Sequence, residues 1–254
     1  MIKVKTSIYT LKGETKGEID LPIIFESEIR EDILRKAFRA STLSARHPYG
    51  SSPLAGSRRV GHTTGPGQGV SRMPRVGGSS RAVLLGNTVG GRSPHSPRSN
   101  KVLFKKINAK EKKIAIGTAI AMTAIPEMVS KRGHKFDQEL KFPVVVEDNI
   151  EEIFKAKEAL DFLGNLGVVE DIERAKAGTK IRAGRGKMRG RRYRTPRSML
   201  IVSTEPSKLN AFKSIPGVEI CGAKNITLKK LAPGGDGGRL VIYTESSVKQ
   251  LGGN

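Results

Sequence analysis

The chain has 254 residues, 37% of them hydrophobic, with no Trp and a formal net charge of +22, which suits one large domain or two small ones. The charge is uneven: residues 33–110 hold ten Arg, five Lys and no acid, residues 174–194 hold ten basic residues and no acid, and the other 155 sum to −3. No apolar run approaches the length of a membrane span, and the single Cys221 excludes an internal disulfide framework and suits a reducing cytosol.

In chain order, MIKVKTSIYT alternates apolar and polar residues instead of building the apolar centre of a secretory signal, so it reads as a half-buried strand. Gly13 and Gly17 bracket a turn, and residues 18–21 pair back before Pro22. Ser27 is placed to cap a helix with apolar positions Ile29, Ile33, Ala37 and Ala40, its acids early and its bases late. At the end of this helix a different chemistry begins. Residues 41–100 contain eleven Gly, six Pro, eight Arg and no acid, and sustain neither a helical nor a strand period. The one apolar cluster, at residues 82–85, is too short to seed a core. Residues 45–100 therefore read as an arm, and going out and back over about 27 residues each way it reaches at most roughly 90 Å.

The arm returns into Asn108 and Glu111, a capping-box spacing that opens a helix to about Ala124, so two helices flank its root. Residues 143–146 form an apolar strand, and Asn149 with Glu152 make a second capping box for a helix running through Ile150, Ile153, Phe154, Leu160 and Leu163 to Gly164. Strands follow at 199–202, 218–221 and 240–243, separated by helices from Pro206 through Phe212 and over 226–231. Thr244 caps a last helix before Gly252. Continuous apolar strands alternating with helices argue for an α/β fold: a mainly parallel sheet flanked by helices, Rossmann-like but without a nucleotide loop. The body is expected over 1–44 and 101–254, with a basic segment at 174–197 inside it.

Such a sheet invites a nucleotide site, but the glycine-rich stretches do not supply one. Gly65, Gly67 and Gly69 follow no strand and open no helix, and their spacing misses the dinucleotide fingerprint. Gly184, Gly186 and Lys187 lack the spacing and the hydroxyl residue of a phosphate loop, and residues 234–238 read as a flexible turn. His47, His62, His95 and His134 have no second ligand at metal spacing. Cys221 reads as a small buried hydrophobe. No cofactor is expected, apart from magnesium associated with RNA.

The two acid-free blocks carry the functional signal. Cationic side chains contact phosphates, glycines allow close backbone approach, and Arg or Tyr planes stack on unpaired bases. Both blocks are internal, which argues against a solvated tail. RNA is favoured over DNA, because neither block resembles a recognition helix and an irregular Gly/Arg/Pro chain orders on the uneven surface of folded RNA.

The arm's GPGQGVSRMPRV at 65–76, its return GGRSPHSP at 90–97 and the following INAKEKK at 107–113 resemble the L-four family of large-ribosomal-subunit proteins. IRAGRGKMRGRR at 181–192 is similar to the family's archaeal and eukaryotic-type branch. The resemblance implies a structural, cytoplasmic ribosomal protein with an α/β body and a long loop that threads large-subunit rRNA, aids its assembly and lines the nascent-peptide exit tunnel. Its implied partners are that rRNA, neighbouring proteins including large-subunit protein twenty-two, and the nascent peptide, with no membrane. Carried over, the tunnel-lining tip falls on Gln68, Gly69, Ser71, Arg72, Met73, Pro74 and Arg75. rRNA-binding residues are expected at Arg46, Arg58, Arg59, Arg72, Arg75, Arg81, Arg92 and Arg98, and in the second block at Arg182, Arg185, Lys187, Arg189, Arg191, Arg192, Tyr193 and Arg194. His62-Thr-Thr64 departs from the more charged residues usual before the glycine run. A free-standing RNA chaperone or processing factor would use the same charges, and a nucleotide-dependent enzyme on the parallel sheet is the rival from another class.

Overall fold

A computed structural model describes residues 5–252. The strands are β1 Lys5–Tyr9, β2 Thr15–Asp20, β3 Val144–Val146, β4 Lys180–Ile181, β5 Tyr193–Arg194, β6 Leu200–Ser203, β7 Glu219–Gly222 and β8 Val241–Thr244. The helices are α1 Glu31–Ser44, α2 Ala109–Ala121, α3 Pro126–Lys131, α4 Ala156–Asn165, α5 Val169–Ala177, α6 Asn210–Lys213, α7 Leu228–Leu231 and α8 Glu245–Gly252. Two compact units divide the chain: Leu43–Lys105, and the residues before and after it.

In the larger unit, six strands run in the order β2-β1-β3-β8-β6-β7. Only the β1–β2 pair is antiparallel, and β1, β3, β8, β6 and β7 pair in parallel. The expected mainly parallel α/β sheet is what the chain forms. Every residue of β3, β6 and β8 is buried, the signature of a sheet covered on both faces. Successive residues go to opposite sides. Val145, Leu200, Val202, Val241 and Tyr243 join one core with Leu34 and Ala37 of α1, Ala115 and Ala119 of α2, and Val248 of α8. Val144, Val146, Ile201 and Ile242 join the other with Phe162 and Leu163 of α4, Ile172 of α5 and Phe212 of α6. Burying each such side chain contributes about 1.5–3 kcal/mol.

Three helices begin at least three residues later than the sequence pattern indicates, among them α6, which starts at Asn210 and not at Pro206. α1 starts at Glu31, because the Ser27 hydroxyl instead donates to Ile24 O at 2.8 Å and closes a 3₁₀ turn over Ile23–Glu26. α2 starts right after Asn108, where the capping-box spacing puts it, although Asn108 makes no side-chain cap; Glu111 accepts from Lys36 Nζ of α1 at 2.8 Å. The expected helix from Ile150 to Gly164 is broken. Asp148–Glu152 forms a 3₁₀ turn, α4 begins only at Ala156, and Phe154 is left 83% exposed. Here a tertiary demand overrides the local pattern, because Asp148 accepts from the backbone N–H of Ser246 at 3.0 Å and from its hydroxyl. Thr244 Oγ1 accepts from Ser247 N at 3.3 Å, so the expected cap of α8 forms and Asp148 reinforces it. Cys221 lies buried in β7. The turn at 234–238 is packed, not loose: a Cβ on Gly237 would lie 2.0 Å from Met122 Sδ.

Candidate nucleic-acid interface

The second basic block is more ordered than its composition indicates. Arg174 and Lys176 belong to α5, and the irregular chain expected beyond them is a two-stranded ribbon. β4 pairs antiparallel with β5, setting Lys180 opposite Arg194 and Ile181 opposite Tyr193. Thr179 Oγ1 donates to Thr195 Oγ1 at 3.2 Å at the base, and Arg182 N donates to Arg192 O at 2.7 Å further out. A 3₁₀ turn over Arg185–Arg189 closes the ribbon, ending on Gly190 in the left-handed region (φ 76°), where a side chain would be strained.

Arg185, Lys187, Arg189, Arg191, Arg192, Tyr193 and Arg194 are exposed on this ribbon. Arg192 sits 5.7 Å from the centroid of the Tyr193 ring, within cation–π range. Arg182 differs from the rest. It is half-buried, and its Nε donates to Arg191 O at 3.1 Å, so part of its donor set holds the ribbon together.

The ribbon is anchored in a buried ionic cluster. Asp171 of α5 has no exposure and accepts from His134 Nδ1 at 3.1 Å, Arg174 Nε at 2.9 Å, Lys135 N at 3.1 Å and Ser198 Oγ at 2.6 Å. Burial alone would raise this carboxyl, but the hydrogen bonds from His134, Arg174 and Ser198 outweigh it and hold it well below the usual carboxylate range. Arg174 also donates to Arg197 O at 2.9 Å, tying the chain entering the ribbon to the chain leaving it.

The unit Leu43–Lys105 is an out-and-back arm whose limbs touch at several levels. Ser51 N donates to Pro97 O at 3.1 Å, and a Cβ on Gly56 (φ 77°) would lie 2.5 Å from Arg92 Cα. Further out, His62 and Arg75 exchange both backbone hydrogen bonds, at 3.0 and 2.9 Å, and Val83 N donates to Pro74 O at 2.9 Å. Residues 74–76 thus lie between the outgoing and returning limbs, and 63–73 project as a loop. Among the described residues Val83 is the arm's only fully buried apolar side chain, which agrees with the expectation that 82–85 cannot build a core.

Gln68, Gly69, Ser71 and Arg72 are exposed on the projecting loop, and Met73, Pro74 and Arg75 are half-buried at its root. Arg75 does not point outward as a free cation: Nη2 donates to Ser71 Oγ at 2.9 Å, Nη1 to Ser80 O, and Nε is enclosed. Arg46, Arg58, Arg59, Arg72, Arg81, Arg92 and Arg98 are all exposed. No carboxylate pairs with any of them among the described residues. Also among the described residues, no group of three or more His, Cys, Asp or Glu is placed to hold a metal, and no helix is long and apolar enough to cross a membrane.

An acid-free arm and an acid-free ribbon on a parallel α/β body are the features that a comparison must match. Residues 19–254 match the ribosomal protein L4/L1 family. The chain belongs to that family. Large ribosomal subunit protein uL4 of Thermoplasma acidophilum is 58% identical over 98% of both chains. The protein of the same name from Methanocaldococcus jannaschii is 43% identical, again over 98% of both. That of Sulfolobus acidocaldarius is 43% identical over 97% of this chain and 93% of its own. The L4/L1 match spans the arm, the ribbon and four of the six strands of the sheet, so the resemblance carried by those two motif blocks holds. The family is one of ribosomal structural proteins, not of enzymes.

Proposed function

We propose that this chain is a structural constituent of the large ribosomal subunit, in cytoplasmic ribosomes, that binds large-subunit rRNA through its arm and ribbon and lines the nascent-peptide exit tunnel with its loop tip. The observation that carries the reading is the state of the arm. Seven exposed guanidiniums stand on an acid-free strip of chain with one buried apolar residue, so the arm lacks both a core and counter-charges of its own. Folded RNA supplies a wall for the backbone and phosphates for the guanidiniums. Arg46, Arg58, Arg59, Arg81, Arg92 and Arg98 hold the limbs to phosphates, while Arg185, Lys187, Arg189, Arg191, Arg192 and Arg194 do so from the ribbon, with Tyr193 available for base stacking.

Gln68, Gly69, Ser71 and Arg72 face the tunnel, with Met73, Pro74 and Arg75 shaping the loop behind them. Neighbouring ribosomal proteins, protein twenty-two among them, and the nascent peptide are the remaining partners. The chain needs no cofactor beyond magnesium bound by the rRNA. A photoreactive residue at Gln68 or Arg72 in assembled large subunits tests the tunnel assignment by crosslinking to a stalled nascent peptide. Crosslinks to rRNA alone would overturn that assignment, and failure to cosediment with large subunits through moderate salt would point to a free-standing RNA chaperone.

A further inference from the structure

A third cationic site lies in the body, mostly on residues that the two basic blocks do not include. A cleft of about 570 Å³ is lined by Arg35, Lys131, Arg132, Arg174, Arg197 and Arg239, drawn from well-separated places in the chain. Glu31 and Asp236 line one wall, and Asp171 and Glu219 lie against the guanidiniums, leaving a net excess of two positive charges. Three of these cations are fixed by neutral carbonyls. Arg132 donates to Asp236 O and Gly237 O, and through Nη2 to Pro233 O at 2.5 Å. Arg239, fully buried, donates to Ser198 O at 2.9 Å, Lys230 O at 2.7 Å and Met199 O at 3.2 Å. Arg197 donates to Lys229 O at 2.7 Å. The one carboxylate beneath them, Glu219, is shared between Arg197 and Arg239.

Carbonyl partners orient a guanidinium without cancelling its charge. Arg132, Arg197 and Arg239 are close enough to repel one another, on top of the burial that already disfavours the charged forms of Arg132 and Arg239. Rigid like charges held together in this way form a receptor for an anion. The cleft also adjoins the ribbon: Pro196 packs against Gly178 at the ribbon's base, and Arg174 and Arg197 flank it. A polyanion lying along the ribbon would run into the cleft.

We infer that this cleft docks a phosphodiester stretch of RNA continuous with the strand held by the β4–β5 ribbon. The inference rests on the rRNA-binding reading above. Guanidiniums suit phosphates because they offer paired donors, and an open cleft that continues an acid-free ribbon suits a chain of phosphates better than a single ion.

The test measures binding of the full chain to transcribed large-subunit rRNA across a range of salt. Lys131 is exposed and Arg197 half-exposed, so the pair Lys131→Ala and Arg197→Ala removes two charges while the circular dichroism spectrum should stay unchanged. With two fewer phosphates neutralised, the log–log salt slope should become shallower by about 1.4–1.8. Lys131→Glu alone should weaken binding further than Lys131→Ala, and Lys131→Arg should restore the original slope. An unchanged slope in the pair, with a shallower slope in a ribbon variant carrying Arg185→Ala, Arg189→Ala and Arg191→Ala, overturns the cleft and leaves the ribbon assignment standing. If the ribbon variant is unchanged as well, the rRNA-binding reading itself fails. Displacement of rRNA from the ribbon variant by polyglutamate as readily as by an RNA oligomer would make the occupant an acidic peptide and sink the inference.

Discussion

Ser198 Oγ donates to Asp171 Oδ2 at 2.6 Å, joining α5, which leads into the ribbon, to the residue that opens the central strand region. The same carboxylate holds His134, Lys135 N and Arg174, so one fully buried anion organises three segments. Replacing it with Asn should leave Arg174 unneutralised and cost about 3–5 kcal/mol, read by urea unfolding. A decrease of under about 1 kcal/mol, the scale of an exposed ion pair, would mean the cluster contributes nothing beyond packing.

The same residue predicts an acid limb. Its folded carboxyl lies below the unfolded value of about 3.9, so its contribution is complete above about pH 5 and fades as pH falls through 3.9 and below. Unfolding free energy should therefore drop between about pH 5 and pH 3 in the parent chain, and by clearly less in Asp171→Asn. Parallel curves for the two proteins would contradict this.

Arg72 and Arg75 should separate in behaviour although they are neighbours on one loop. Arg75→Lys removes the forked donation to Ser71 Oγ and Ser80 O and should speed hydrogen exchange at the His62 and Arg75 amides. Arg72→Ala removes an exposed side chain and should leave that exchange unchanged. Equal protection in both variants would show that Arg75 does not hold the loop.

Gly56→Ala should part the arm's limbs. The residue sits at φ 77°, where a side chain costs about 1–2 kcal/mol, and its Cβ would meet Arg92 Cα at 2.5 Å. Exchange of the Ser51 amide, bonded to Pro97 O, should rise by about 5–30-fold.

On the ribbon, replacing Arg185, Arg189, Arg191 and Arg192 with Ala should flatten the salt dependence of rRNA binding by up to about 0.7–0.9 for each phosphate no longer neutralised. Arg182→Ala should in addition loosen the ribbon, because its Nε holds Arg191 O, and this would appear as faster exchange at Arg182 N.

The central strands were legible because burial on both faces demands unbroken apolar runs, as in residues 199–202 and 240–243. The arm was legible from the opposite signal, a long stretch with no acid and no period. Break points were not. Ser27 gives to Ile24 O the hydroxyl that local pattern assigns to its own helix, and Asp148 holds Ser246, so the chain turns in 3₁₀ form where a helix from Ile150 was expected. α3, α5 and the ribbon pairing were missed, the last because two-residue strands carry no period. The cleft left no mark at all, since its cations are spread from Arg35 to Arg239 and only the fold brings them together.

The unpaired guanidiniums of the arm bear on the molecule before assembly. A copy made without its RNA carries a long strip of cation that any polyanion can occupy, and nothing in its own sequence competes for that place. Its high net charge keeps such a copy soluble, but gives it no means of choosing among polyanions before it meets its own.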